Sequence, residues 1–211
     1  MNVLIVCSGN IKDYTYYEKY LRESDFIICV DGGAEHLRKF ARMPDLLLGD
    51  FDSIKKSDFE YYKQNGVTVK EFPKEKDMTD TELAIDIAIE KGCSLITIIG
   101  GLGGRFDHSL ANVFLLKKML DRGVHGKILN EQNQIEIIDR SIVLEARKQW
   151  KVTLIPLTQK VIGVSTDGLY YALDDETILF GTSLGVSNEF SKDTAKISIQ
   201  EGLLLVIQSR D

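Results

Sequence analysis

Absences narrow this chain before any motif does. Among 211 residues there are three prolines, three cysteines, three histidines and a single tryptophan. With so little proline and 44% hydrophobic residues, the chain can bury the core of one domain or of two small ones. Cys7, Cys29 and Cys93 are odd in number, widely spaced, and each lies in or beside an apolar run. That pattern argues against a disulfide framework or a cysteine metal site, and buried reduced thiols are expected. No apolar run approaches the roughly 18 residues of a membrane span, and no positive residue precedes the short run in "MNVLIVCSGN". The expectation is a soluble, cytoplasmic protein with no membrane partner. Positive charge is in deficit as well: a formal net charge of −6 excludes a broad electrostatic hold on nucleic acid or on an anionic membrane surface. Any phosphate bound here needs local help from metal ions, backbone N–H groups or a few basic side chains.

Familiar phosphate motifs are missing too. The spacing G-x-G-x-x-G does not occur, and no G-K-[ST] follows a glycine-rich loop, so neither a dinucleotide fingerprint nor a Walker A loop is present. There is no internal repeat, no low-complexity segment and no proline-rich linker.

What is present is a rhythm. Up to about residue 130, short apolar runs alternate with amphipathic stretches. "VLIVCSG", "FIICV", "DLLLGD", "VTVKEF" and "SLITIIGG" read as strands; Tyr14 to Glu23, "EHLRKFA", "SDFEYYKQNG", "TDTELAIDIAIEKG" and Ser109 to Asp121 read as helices. Ser57 with Glu60, and Thr79 with Glu82, have capping-box spacing, while Gly66 and Gly92 are helix stops. Strands apolar on both faces that alternate with helices predict a mostly parallel sheet covered on both sides. From about Lys127 the rhythm changes to short β runs, among them "QIEIID", "SIVLEA", "KVTLIPL", "VIGVST", "LYYAL", "TILF", "AKISIQ" and "LLLVIQ". The fold class expected is therefore α/β, followed by a small all-β, sandwich-like or rolled domain. The domains expected are residues 1–126 and 127–211.

Carboxylates collect at the strand ends. Asp31 follows "FIICV"; Asp50 and Asp52 follow "LLLG"; Asp77 and Asp80 lie in "KEKDMTD"; Asp107 follows the glycine-rich turn after "SLITIIGG". In a parallel sheet those ends share one edge, where ligands bind. Each aspartate alone is accounted for by turn chemistry, helix capping or complementing a helix dipole. Asp50 and Asp52 side by side repel unless a cation lies between them, and Mg²⁺ suits a few carboxylates combined with substrate phosphates. In "GGLGGRFDH", four glycines let the backbone approach a ligand, and Arg105 and Asp107 share the loop. Lys74 and Lys76 are either a solvated charge run or positive charge for a triphosphate. His108 is placed with the phosphate-side residues; His36 and His125 are read as structural or surface groups, and Trp150 as core.

In order along the chain, "DGGAEHL", "PDLLLGDFDSI", "KDMTDTELA", "GGLGGRFDHSLAN", "STDGLYYAL" and "FGTSLGVSNEF" resemble the thiamin pyrophosphokinase family, from about Asp31 to Phe190. The resemblance implies transfer of the β,γ-pyrophosphoryl group of ATP to the thiamin hydroxyl, giving thiamin diphosphate and AMP, with Mg²⁺ as cofactor. It also implies a homodimer binding thiamin at the subunit interface. Carried over, Asp50, Asp52, Asp80 and Asp107 take the catalytic positions, and Asp50, Asp52, Asp77 and Asp80 the metal positions. Asp31, Lys76, Thr79, Gly101, Arg105 and His108 fall on the ATP side, and Ser187 and Asn188 on the thiamin side. Gly185 stands where some relatives carry serine. Tyr170 or Tyr171 either faces the thiamin ring or alternates in and out of a strand. A pyrophosphokinase for a pterin-type acceptor and a non-catalytic thiamin or nucleotide sensor are the alternatives.

Overall fold

Strands that are apolar on both faces need cover on both faces, and the first half of the chain supplies it. The computed structural model describes residues 1–211 and divides into two units, Met1–Glu131 and Gln132–Asp211. In the first, the chain runs β1 (Asn2–Val6), α1 (Tyr14–Glu23), β2 (Phe26–Val30), α2 (Gly33–Lys39), β3 (Leu46–Gly49), α3 (Lys56–Gln64), β4 (Thr68–Glu71), α4 (Asp80–Glu90), β5 (Leu95–Ile99), α5 (Phe106–Asp121) and β6 (His125–Leu129). Its strands lie in the order β6-β5-β1-β2-β3-β4, and every neighbouring pair is parallel. The central strands are sealed: Leu4, Leu47, Ile96 and Ile98 expose no surface. Tyr17, Leu37 and Tyr62 bring helix side chains against the sheet with equally little exposure. Cys7, Cys29 and Cys93 are buried free thiols, as expected from their apolar settings.

Side chains cap two of the five helix starts, those of α1 and α4. Asp13 caps α1, accepting hydrogen bonds from the N–H groups of Thr15 and Tyr16, and Thr79 caps α4 by accepting from Glu82 N–H at 3.2 Å. The Glu82 carboxylate pairs with Lys118 at 3.0 Å, and Lys118 also reaches Asp86 at 2.7 Å, which ties α4 to α5. The expected capping box at Ser57 does not form, because α3 begins at Lys56 and Ser57 lies inside its first turn. Helix α5 starts at Phe106, three residues earlier than its apolar stripe suggests. The expected join at 126/127 falls inside β6, which pairs with β5 from Leu95↔His125 to Ile99↔Leu129, so the division comes after Glu131.

The second unit is all β. Strands β7 (Asn133–Ile138), β8 (Ser141–Glu145), β9 (Lys151–Pro156), β10 (Lys160–Asp167), β11 (Glu176–Leu179), β12 (Asn188–Glu189), β13 (Thr194–Ser198) and β14 (Leu204–Ser209) pair antiparallel within it, in the orders β12-β9-β14-β7 and β11-β10-β13-β8. Ile138, Val152, Leu154, Leu204 and Val206 from the first set share one core with Leu144, Val161, Val164, Ile178 and Ile197 from the second, which is sandwich packing. Trp150 is buried beneath the guanidinium groups of Arg147 and Arg210. The stretch "LYYAL" is not a regular strand: Leu169 is buried and makes an isolated bridge to Phe190, while Tyr170 and Tyr171 are both exposed, 69% and 65%. They stack edge to face on each other, 5.0 Å between centroids, and do not alternate in and out.

Candidate active site at the carboxyl ends of the strands

From β1 the chain builds the sheet outward through β2, β3 and β4, then returns to the other side of β1 for β5 and β6. Loops after β1 and β5 therefore leave in opposite senses, and a crevice opens between them. A cleft of about 770 Å³ lies there, lined by the segments Cys7 to Asn10 and Gly100 to Gly104 together with the acidic strand ends. The two segments touch as backbone: Gly9 N–H donates to Gly100 C=O at 2.8 Å, and a Cβ on Gly9 would lie 2.3 Å from that oxygen. Gly100 has φ +64° and equally little room, 2.3 Å to Cys7 O. Here glycine is a steric necessity.

Asp31 stands at the centre of the acidic group. It has φ 45°, uncommon for a side-chain-bearing residue, and its Oδ1 accepts from Phe51 N–H at 2.9 Å. Gly49 makes room for that carboxylate, since a Cβ there would sit 2.2 Å from Asp31 Oδ1. Ligand oxygens of Asp31, Asp50 and Asp52 all lie within 4.8 Å of one another. Burial pushes the Asp31 carboxyl up; the Phe51 N–H opposes this and the charges of Asp80, Asp50 and Asp52 add to it, for a value of about 6. A cation among these oxygens reverses that cost. Asp52 is exposed, and the Lys74 ammonium, 2.7 Å from its Oδ2, holds its carboxyl below the usual range. Asp80, the first residue of α4, has a buried Oδ1 that ion-pairs with the Lys76 ammonium at 3.1 Å. Crowded carboxylates and hard-oxygen chemistry fit a divalent ion such as Mg²⁺.

Of the residues singled out by sequence, the cleft brings together Asp31, Asp50, Asp52, Asp80, Lys76, Thr79, Gly101, Arg105 and His108. Two carboxylates do not line it. Asp77 is exposed outside it, and Asp107, in the first turn of α5, turns to the Arg105 guanidinium with contacts of 2.6 and 3.3 Å. The early start of α5 is the reason, because it converts a loop residue into a helix residue partnered by the preceding arginine. The cleft also contains Ser8, Gly9, Asn10, Ser53 and Asn112. A strand ending in "SGN" is a legible sign for the first three. Asn112, whose amide donates to Gly101 C=O at 2.8 Å, lies mid-helix and carries no such sign.

In the second unit Ser187 and Asn188 play different parts. Ser187 is exposed at φ 59°, its N–H donating to Thr153 Oγ1 at 3.0 Å. Asn188 is 3% exposed; its amide clips the Tyr171 backbone in both directions, at 3.0 and 2.7 Å, and its oxygen also accepts from Glu189 N–H. Gly185 has φ +91°, and a Cβ there would lie 3.1 Å from Leu154 Cβ, so serine at this position is strained.

A parallel α/β sheet with carboxylates and glycine-rich backbone at its switch point defines a class of protein that handles phosphorylated ligands at that edge. The family model of the thiamin pyrophosphokinase catalytic domain matches residues 17–128, and that of the thiamin pyrophosphokinase vitamin B1 binding domain matches 140–204. Thiamine pyrophosphokinase of Bacillus subtilis is 31% identical over 195 residues, covering 91% of each chain, and thiamine pyrophosphokinase 1 of Oryza sativa subsp. japonica is 26% identical, covering 87% of this chain and 79% of its own. A solved structure of the Bacillus subtilis enzyme superposes over 100% of both chains with a TM-score of 0.92 at 28% identity, and one from Geobacillus thermodenitrificans with 0.86 at 30% over 100% of this chain and 98% of its own. The chain belongs to the thiamin pyrophosphokinase family.

Proposed function

We propose that this chain transfers the β,γ-pyrophosphoryl group of ATP to the hydroxyl of thiamin, releasing AMP, and that the cleft after β1 and β5 is where the triphosphate sits. The observation that carries the assignment is the convergence of Asp31, Asp50 and Asp52 opposite a glycine-rich backbone in one cleft. Asp31, Asp50 and Asp52 would hold Mg²⁺, with Asp80 beside them, and Mg²⁺ so held supplies charge neutralisation on the phosphate oxygens. Displacement at phosphorus is mainly a matter of position and charge. Lys74, Lys76 and Arg105 bring cations to the same edge, and the Gly100 to Gly104 backbone allows the phosphates to approach closely. The thiamin hydroxyl attacks the β-phosphorus in line, and the bond from that phosphorus to the α-phosphate oxygen breaks.

Ser187 is the thiamin-side contact in this reading, and Asn188 holds Tyr171 and Glu189 in place around it. The working form is a homodimer. Support comes from Phe106, Leu110 and Phe114, which repeat at i, i+4 and i+8 along α5 with 74%, 39% and 53% of their surface exposed. The names of the relatives favour thiamin over a pterin-type acceptor.

The test is a product analysis after incubation with ATP, Mg²⁺ and thiamin. Thiamin diphosphate with equal AMP is expected. ADP with thiamin monophosphate would overturn the pyrophosphoryl assignment, and thiamin binding without turnover would leave a sensor.

A further inference from the structure

His36 looks at first like an ordinary core histidine. It lies on α2, 9% exposed, in the middle of the first unit. Its partners are not ordinary. The Nε2 atom is 2.8 Å from the backbone oxygen of Gly9, and the Nδ1 atom is 2.8 Å from the Tyr14 hydroxyl. A carbonyl oxygen only accepts, so Nε2 carries the proton. In the neutral ring Nδ1 then accepts from the Tyr14 O–H. Burial, which disfavours the charged ring, keeps His36 in this neutral form.

Gly9 is a wall of the cleft. Its N–H is committed to Gly100 C=O, and its Cα has no space on the Gly100 side. Its carbonyl is held from the opposite side by His36. Helix α2 is itself pressed onto the end of β1, since a Cβ on Gly33 would lie 2.2 Å from Val6 O. The loop after β1 is thus held through the Gly9 N–H by the backbone that follows β5 and through the Gly9 carbonyl by His36.

We propose that His36 is a positioning residue of the nucleotide cleft: by clamping the Gly9 carbonyl it orients the Ser8 to Asn10 backbone toward the phosphates, with the Tyr14 hydroxyl holding the ring in place by donating to Nδ1. This rests on the reading of the cleft as the ATP site. The ring does not touch substrate, so its effect falls on ATP binding and leaves thiamin recognition alone. His36→Gln keeps an amide donor at similar reach, whereas His36→Leu removes both ring hydrogen bonds.

ATP affinity is measured by titration with Mg²⁺ present, alongside the KM for thiamin. Wild-type protein binds ATP; His36→Leu weakens it about tenfold, the scale of one lost hydrogen bond in a positioned loop, with the thiamin KM unchanged. His36→Gln recovers most of the loss, and Tyr14→Phe shows a smaller loss of the same kind. In the wild-type ring ¹⁵N spectrum the proton lies on Nε2. Unchanged ATP affinity in folded His36→Leu overturns the proposal, as does a ring proton on Nδ1. If His36→Leu does not fold, unchanged ATP affinity in Tyr14→Phe overturns it equally. Wild-type protein that bound no ATP would defeat the nucleotide reading itself, a result distinct from a variant matching a wild type that binds.

Discussion

Six side-chain-bearing residues of this chain have positive φ; Ala41, Gln149 and Asp175 lie away from the residues assigned to substrate, and the other three do not. Asp31, Phe51 and Ser187 all have φ between 45° and 60°, and each stands in or beside a segment assigned to substrate. The strain at Asp31 is coupled to Gly49, whose missing side chain is where the carboxylate lies. Gly49→Ala is expected to destabilise the protein by about 1–3 kcal/mol, since either the carboxylate or the backbone must move, and to lower activity as well. Thermal unfolding read beside activity checks both effects; an unchanged Tm would show that the site yields without cost. Asp52→Ala separates chemistry from stability. Its carboxylate is half exposed, so the unfolding midpoint should stay close to that of wild type while turnover falls at least about 100-fold. Steady-state turnover near that of wild type would remove Asp52 from the phosphate machinery.

Elements explain how far the sequence could be read. Continuous apolar runs such as "LITII" and "FIICV" admit little besides buried parallel strands, and they carried the α/β class and the acidic edge with them. Side-chain direction is a different matter. Asp77 and Asp107 stand at the correct strand ends, yet a helix that starts at Phe106 gives Asp107 to Arg105, and nothing local in the sequence fixes that start. The two capping boxes look alike on paper; Thr79 caps its helix and Ser57 does not, because Lys55 already occupies the cap position of α3. Thr79→Ala should cost about 1 kcal/mol through the lost cap, and it should weaken ATP binding because Asp80 begins the same helix. A stability loss with unaltered ATP affinity would confine Thr79 to capping. Element ends also set a pH dependence. Burial pushes the Glu131 carboxyl up, but N–H groups of Asp13, Glu131 and Lys12 outweigh it, and the net shift is downward. The Lys12 and Asp13 contacts are 2.7 and 2.9 Å, fastening the loop ahead of α1. A depressed carboxyl contributes stability that is present above its unfolded value, ordinarily about 4.3, and is lost as pH falls through the folded value. Glu131→Gln should therefore flatten the acid limb of the stability curve, and an unaltered limb would show that another carboxylate controls it.

At the scale of the molecule, the exposed apolar side chains need an explanation that neither unit provides alone. No helix is long and apolar enough to cross a membrane, so α5 does not display Phe106, Leu110 and Phe114 for a bilayer span. A stripe of this kind along one face of a helix is costly to leave in water, at about 25 cal/mol per Å² of apolar surface. Pairing with a second copy removes the cost, and a two-fold interface repeats the same patch on both partners. Phe114→Lys places a charge on that face while leaving the buried side of α5, with Val113 and Leu116, untouched. The wild type is expected to sediment as a dimer and Phe114→Lys as a folded monomer, with unchanged circular dichroism. If thiamin is bound where two copies meet, the monomer should lose thiamin turnover and still bind ATP in the cleft, which lies wholly within the first unit. A monomeric variant that retained full thiamin turnover would show that one chain supplies the whole acceptor site. A Phe114→Lys protein that remained dimeric would move the interface away from α5.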